Sequence, residues 1–229
     1  MIHLQDIRKV FNAGQPNEFV AIKGVNLSID SHGVTVLKGP SGSGKTTLLS
    51  LLGCMARPTS GRITFKEREI TSLPERFLTE IRRQTFGIIF QQFNLIKGLS
   101  ALENVMLPAY PTGEKHATLK KRALALLDLL NLAGKADAKV EWLSGGEAQR
   151  TAIARALINN AAFLIADEPT AHLDTALSRE FMEIMRQLKK EGKTILIASH
   201  DPIAYASDVI DRIVEMRDGM IVVAPGDAA

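Results

Sequence analysis

The 229-residue sequence predicts an α/β fold, a mostly parallel sheet covered by helices on both faces, and three observations carry that prediction. Short apolar strands alternate with longer amphipathic segments. A glycine-rich turn, "GPSGSGKT", joins one strand to one helix. Two acids, Asp167 and Glu168, follow a wholly apolar strand, at the strand end where an open α/β sheet binds its ligands.

The elements follow in order. Residues 1–38 read as strands, since "FVAIKGVNLSI" and "VTVLKG" are β-branched with partial alternation. "GPSGSGKTTLLSLLG" is the turn running into an apolar helix, and "RPTSGRITF" is a turn and a further strand. Residues 72–83 look helical, and "FGIIF" is a short buried strand. Residues 92–142 change character. Turn formers in "KGLSALENVMLPAYPTGEK" precede an amphipathic helix with Leu119, Ala123, Leu126, Leu127 and Leu130 on one face, a candidate inserted helical subdomain. A helix over about 147–158, the strand "AFLIA", the helix "LSREFMEIMRQLKK" and the buried strand "TILIAS" restore the alternation. "RIVEMRDGMIVVA" reads as a hairpin turning at Asp218-Gly219. The organisation is one domain over 1–229. Residues 1–91 hold a β subdomain and the first part of the core, 92–143 the helical subdomain, and 144–229 the remaining core.

Composition bounds the function. With 28 basic and 25 acidic residues the net charge is +3, too balanced for a nucleic-acid partner. The single cysteine, Cys54, sits in an apolar stretch, reads as a buried small hydrophobe, and fits a reducing compartment. The N-terminus alternates without an apolar signal core, and no apolar run reaches the ~18 residues that span a bilayer. The expectation is a cytoplasmic protein, held at any membrane by another subunit.

Gly39 to Thr46 matches the phosphate-loop pattern G-x-x-x-x-G-K-[ST] at every fixed position, after a strand and before a helix. Gly42 and Gly44 permit tight backbone geometry, and successive N–H groups converge on phosphate oxygens. Lys45 reaches the β/γ phosphates and the Thr46 hydroxyl ligates Mg²⁺. Asp167 is placed to reach Mg²⁺, and Glu168 to polarise or deprotonate the attacking water. Ser144 and Glu147 have capping-box spacing, and Gly145 and Gly146 bare the backbone beside that helix start, a second anion site.

Six segments in this order resemble the ATP-binding cassette (ABC) family over essentially the whole chain. They are the phosphate loop, "FQQFNL" as the Q-loop, the signature "LSGGE", the Walker B strand "LIADEP", "TAHLD" as the D-loop ending at Asp174, and "ASHD" with its switch histidine His200. The resemblance implies a P-loop NTPase (RecA-like) core with an antiparallel β subdomain and an inserted helical subdomain. It implies that Phe11 stacks on adenine, and that Gly39, Pro40, Ser41, Gly42, Ser43, Gly44, Lys45, Thr46 and Thr47 hold ATP. Mg²⁺ would meet Thr46, Gln91 and Asp167, with Gln92 the alternative to Gln91. Catalysis would fall to Glu168, His200 and Gln91. Ser144, Gly145, Gly146 and Glu147 would contact ATP bound to a second copy in a head-to-tail dimer. The wording is nearest the lipoprotein-releasing, macrolide-exporter and cell-division ATPases, which drive a separate permease with few transmembrane helices and a large extracytoplasmic domain from the cytoplasmic face of the membrane. Ala148, where a glutamine is usual, and "CMA" at 54–56 depart from that group. The competing readings are a non-transport ABC ATPase of DNA repair or translation and a P-loop kinase. His3, His32 and His116 read as surface residues, and His172 has no assigned role.

Overall fold

The computed structural model describes residues 1–171 and 173–222. His172 lies outside them. Strands β1 (Ile2–Phe11), β2 (Phe19–Ile29), β4 (Ser60–Phe65) and β5 (Arg68–Glu69) make an antiparallel sheet in the order β2-β1-β4-β5. Strands β3 (Val34–Lys38), β6 (Phe86–Ile89), β7 (Phe163–Asp167), β8 (Thr194–Ser199), β9 (Arg212–Arg217) and β10 (Met220–Val222) make a second sheet, β10-β9-β3-β8-β7-β6. Its strands run parallel except for the β9–β10 hairpin. That hairpin turns at Asp218 (φ 50°) and Gly219 (φ 81°), the paired positive φ values that suit a two-residue connection. Val223 and Ala224, which the sequence adds to the hairpin, lie outside the described residues.

The α-helices among the described residues are α1 (Lys45–Leu52), α2 (Glu75–Thr85), α3 (Ala101–Met106), α4 (His116–Leu129), α5 (Gly145–Leu157), α6 (Thr175–Lys190) and α7 (Pro202–Tyr205). The central strands divide their side chains between two cores, as period-2 alternation requires. Phe163 and Ile165 of β7, with Leu196 and Ala198 of β8, face a core shared with α1 and the antiparallel sheet. Leu164 and Ala166, with Ile195 and Ile197, face a core shared with α3, α4, α5 and α6. Because both faces are buried, these strands read as continuous apolar runs. Phe65, Phe86 and Phe163 cluster with centroids 5.5 to 6.0 Å apart and join the two sheets.

Several elements differ from the sequence reading. Helix α2 begins at Glu75 rather than residue 72, because Pro74 disfavours helical geometry in the residue before it. Helix α5 begins at Gly145, directly after its Ser144 cap. Helix α3 stands in a segment that reads as turns, and a complete capping box between Ser100 and Glu103 starts it. On the α4 face, Leu119, Ala123, Leu127 and Leu130 are buried, while Leu126 is half-buried against them. Cys54 is buried as expected, and burial pushes its thiol up to about 11. His3, His32 and His116 are exposed.

Strand β6 approaches α5 so closely that a Cβ on Gly87 would lie 2.2 Å from the Ala156 carbonyl oxygen. Gly87→Ala must push backbone apart, and destabilises by about 1–3 kcal/mol. Urea unfolding checks it; an unchanged midpoint would contradict this packing.

Candidate active site

The phosphate loop leaves the end of β3 and enters α1. Gly42 (φ 78°) and Gly44 (φ 99°) both take left-handed geometry, which a side chain would oppose. Gly44 caps α1, and a Cβ there would lie 2.8 Å from the Ala21 carbonyl oxygen. The first intrahelical bond runs from Leu48 N–H to the Gly44 carbonyl at 2.9 Å, so the N–H groups of Lys45, Thr46 and Thr47 precede it. Such a turn presents bare donors to an anion. Ser43 Oγ is buried without a hydrogen-bond partner among the described residues, an orphaned hydroxyl within the same loop.

Lys45 is buried and donates to the Gly39 and Pro40 carbonyls at 2.7 and 3.1 Å. It also pairs with Glu168 Oε1 at 3.1 Å. The other carboxylate oxygen, Glu168 Oε2, lies 2.9 Å from His200 Nδ1 and accepts from the His200 backbone N–H at 3.3 Å. A proton on His200 Nδ1 completes that bond and leaves Nε2 as a free acceptor on a side chain that is 60% exposed. Glu168 takes φ 44°, left-handed geometry that is costly for a side chain of its size, while its N–H is held by the Ala198 carbonyl at 2.9 Å. Backbone strain of this kind gathers where function needs it. Asp167, one residue earlier, accepts from the Thr46 hydroxyl at 3.0 Å. Burial raises the Asp167 carboxyl above its ordinary range, and the Thr46 hydrogen bond partly opposes that shift. A cation there would offset that burial. Hydroxyl and carboxylate oxygens are the hard ligands Mg²⁺ takes.

Gln91 follows β6 in an exposed turn. The β6–β7 register pairs Ile89 with Ala166, so the turn sits beside the strand end that carries Asp167. Phe93 (φ 59°) and Asn94 (φ 48°) are both left-handed, and buried Arg155 of α5 grips their carbonyls. Phe11 is exposed at the end of β1, opposite Phe19, with the Lys9 ammonium 5.0 Å from its ring centroid.

The signature segment lies at the start of α5. Ser144 Oγ accepts from Glu147 N–H at 3.3 Å, and Glu147 Oε2 accepts from Ser144 N–H at 2.9 Å, the capping box its spacing implies. The Ser144 backbone N–H, helped by Lys135, holds the Glu147 carboxyl below its ordinary range. The two glycines differ. Gly145 is exposed, whereas Gly146 is buried, and a Cβ there would meet Leu177 of α6 at 2.6 Å. Gly146 is therefore also a packing residue. Asp174 caps α6, accepting from Leu177 N–H at 2.9 Å.

Three positioning residues escape the motif reading. Gln149 donates to the Pro169 carbonyl at 2.8 Å and ties the signature helix to the acidic strand end. Thr170 donates to Asp201 at 2.7 Å and ties that strand end to the His200 turn. Arg155 ties α5 to the Gln91 turn. Gln149 stands where the helical stripe Gln149, Ala152, Ile153 and Ala156 calls for an apolar residue, and that misplaced amide is the signal that finds it.

Comparison with known proteins identifies the family. The family model described as "ABC transporter" matches residues 22–171. A "Probable export ATP-binding/permease protein" of Pseudomonas fluorescens is 42% identical over 97% of this chain and 34% of its own length. The "Macrolide export ATP-binding/permease protein MacB" of Hyphomonas neptunium is 39% identical over 99% of this chain and 35% of its own. The chain thus spans about a third of the length of these relatives. An "Uncharacterized ABC transporter ATP-binding protein" of Thermotoga maritima is 38% identical over 96% of this chain and 93% of its own. Among solved structures, the dimeric structure of MJ0796, a bacterial ABC transporter cassette, superposes with a TM-score of 0.88 at 38% identity over 97% of each chain. A post-hydrolysis state of MJ0796 bound to ADP and Pi superposes with a TM-score of 0.88 at 37% identity, again over 97% of each chain. The chain belongs to the ABC transporter family and is an ATPase cassette of that family.

Proposed function

We propose that this cassette binds ATP with Mg²⁺ between two copies of itself and uses hydrolysis to drive a membrane permease of the export or mechanotransmission type. The observation that carries the reading is the Lys45–Glu168–His200 chain at the mouth of a phosphate loop. It gathers a phosphate-binding cation, a carboxylate able to take a proton from water, and an imidazole on one point. Phe11 offers its ring to the base, and the loop from Gly39 to Thr47 cradles the phosphates. Thr46, Asp167 and Gln91 are the proposed holders of Mg²⁺, which when bound neutralises charge on the phosphates. His200 Nε2 is the ring nitrogen left for the γ-phosphate, and a proton on it donates to a phosphate oxygen. Ser144, Gly145, Gly146 and Glu147 meet the nucleotide of the second copy, with the Ser144 O–H as donor. Asp174, beyond its capping role, belongs to the same face.

Residues 92–143 act as the lever between site and permease. An apolar groove of about 320 Å³, lined in part by Phe86, Ile88, Phe90, Pro108 and Pro111, lies beside the Gln91 turn. Arg82, Arg83 and Arg155 also line it. It suits a short permease helix with an apolar face and an acidic residue. Arg155 reaches both the groove and the Gln91 turn, which is how a docked helix would feel the site. Among the described residues no helix is long and apolar enough to cross a membrane. The proposed location is the cytoplasmic face of the membrane, beside the permease.

Purification of Glu168→Gln from its native membranes with ATP and Mg²⁺ tests the assignment. An associated permease with four transmembrane helices and a large outer domain is the expected result. A many-helix permease would overturn the mechanotransmission reading, and soluble partners alone would overturn transport. Ser144→Arg tests the trans contact. ATP affinity stays within about twofold, turnover is lost, and stability falls by about 1 kcal/mol from the altered cap. Equal loss of ATP affinity would contradict it.

A further inference from the structure

The most exposed large apolar side chain among the described residues is Trp142, which is 76% exposed and the only tryptophan of the chain. It stands two residues before the signature serine. Its outward position is enforced locally. Val140 is buried and Leu143 is half-buried against the helical core, so the short 3-10 turn Val140–Trp142 leaves Trp142 no inward site. The turn is also fastened. Val140 N–H donates to the Leu99 carbonyl at 3.2 Å, Glu141 Oε1 accepts from Gly98 N–H at 2.7 Å, and the Lys139 ammonium donates to the Gly98 carbonyl. A bridge between Ser100 and Lys139 adds a further tie. Trp142 is thus held out on a braced segment rather than on a loose loop, and little order remains to be lost when it is covered.

We infer that Trp142 is an anchor of the interface with the second copy, buried when ATP closes the dimer. This rests on the ATP-dimer reading above. Trp142 is continuous with Ser144 and Gly145, the exposed start of α5 that the dimer would cover, so closure on Ser144 brings the indole to the same partner surface. In a two-fold dimer the contact occurs twice. Tryptophan leads the residue types that dominate interface energies, because it buries a large rigid area at small entropic cost.

The indole reports on itself. Glu168→Gln is mixed with Mg²⁺ and either ATP or ADP, and Trp142 emission, acrylamide quenching and sedimentation are followed together. With ATP the emission moves to shorter wavelength, quenching falls by at least about threefold as the indole is covered, and mass doubles; ADP produces none of these changes. Trp142→Ala leaves ATP binding to the monomer intact and weakens ATP-driven dimerisation by about tenfold, while Trp142→Phe recovers part of it. A dimer that forms with quenching unchanged would overturn the inference and leave the dimer reading standing. Failure to dimerise at all would overturn both. Protection that needs only a permease, or that occurs in the monomer at every protein concentration, would assign Trp142 to another contact and overturn the inference.

Discussion

Glu168→Gln lowers ATP turnover by about 10²–10⁴-fold while ATP affinity stays within a few-fold of the parent. The amide keeps the shape of the carboxylate. Its oxygen still accepts from Lys45, whose Nζ lies 3.1 Å from Glu168 Oε1, and its NH₂ can donate to His200 Nδ1 once that nitrogen gives up its proton. What is lost is the proposed ability to take a proton from water. Phosphate release at saturating ATP, paired with a direct binding measurement, separates the two effects. Turnover near the parent value would remove Glu168 as the base. The left-handed φ of 44° at this residue is a second reason for choosing an isosteric change, since the backbone is held independently through the Ala198 carbonyl.

Lys45→Ala acts on affinity and stability together. It removes the cation proposed to face the phosphates, and ATP affinity falls by at least about thirtyfold, about 2 kcal/mol. It also strands Glu168, whose side chain is only 11% exposed, with His200 as its remaining partner. Breaking a buried pair by removing one member typically costs about 3–5 kcal/mol, and the His200 contact puts this case at the lower end. The double variant Lys45→Ala, Glu168→Gln distinguishes the two losses. Removing the stranded charge restores much of the stability and none of the affinity. Urea unfolding and nucleotide titration of the four proteins complete the cycle. Additive stability losses would show that Lys45 and Glu168 are not coupled.

The fold was legible where one physical rule governs. The central strands are buried on both faces, so β7 and β8 read as unbroken apolar runs, and Asp218-Gly219 declares its hairpin. The phosphate loop was legible because Gly42, Gly44 and Lys45 have few alternatives at those positions. Helix α3 was hidden by the turn formers around it, although the Ser100–Glu103 box that starts it has the same spacing as the Ser144–Glu147 box that was read. The ties made by Gln149, Arg155 and Thr170 were not legible as motifs. Each depends on which carbonyl or carboxylate the fold brings within reach, here Pro169, Phe93, Asn94 and Asp201. The double use of Gly146, bare backbone at the helix start and close packing on Leu177, is likewise a tertiary fact.

These ties matter because they give the site its connections. Gln149 links the signature helix to the acidic strand end, Thr170 links that end to the histidine turn, and Arg155 links the same helix to the Gln91 turn and the groove beside it. A change at the phosphates therefore has short, packed routes to both proposed partner surfaces.

In the proposed mechanism ATP is held between two copies of this chain. Sedimentation of Glu168→Gln with ATP and Mg²⁺ tests it most directly. The 25.0 kDa monomer is expected to double in mass with ATP, to return to monomer with ADP, and to stay monomeric when Ser144→Arg is added. A Glu168→Gln protein that binds ATP fully and remains a monomer would contradict it.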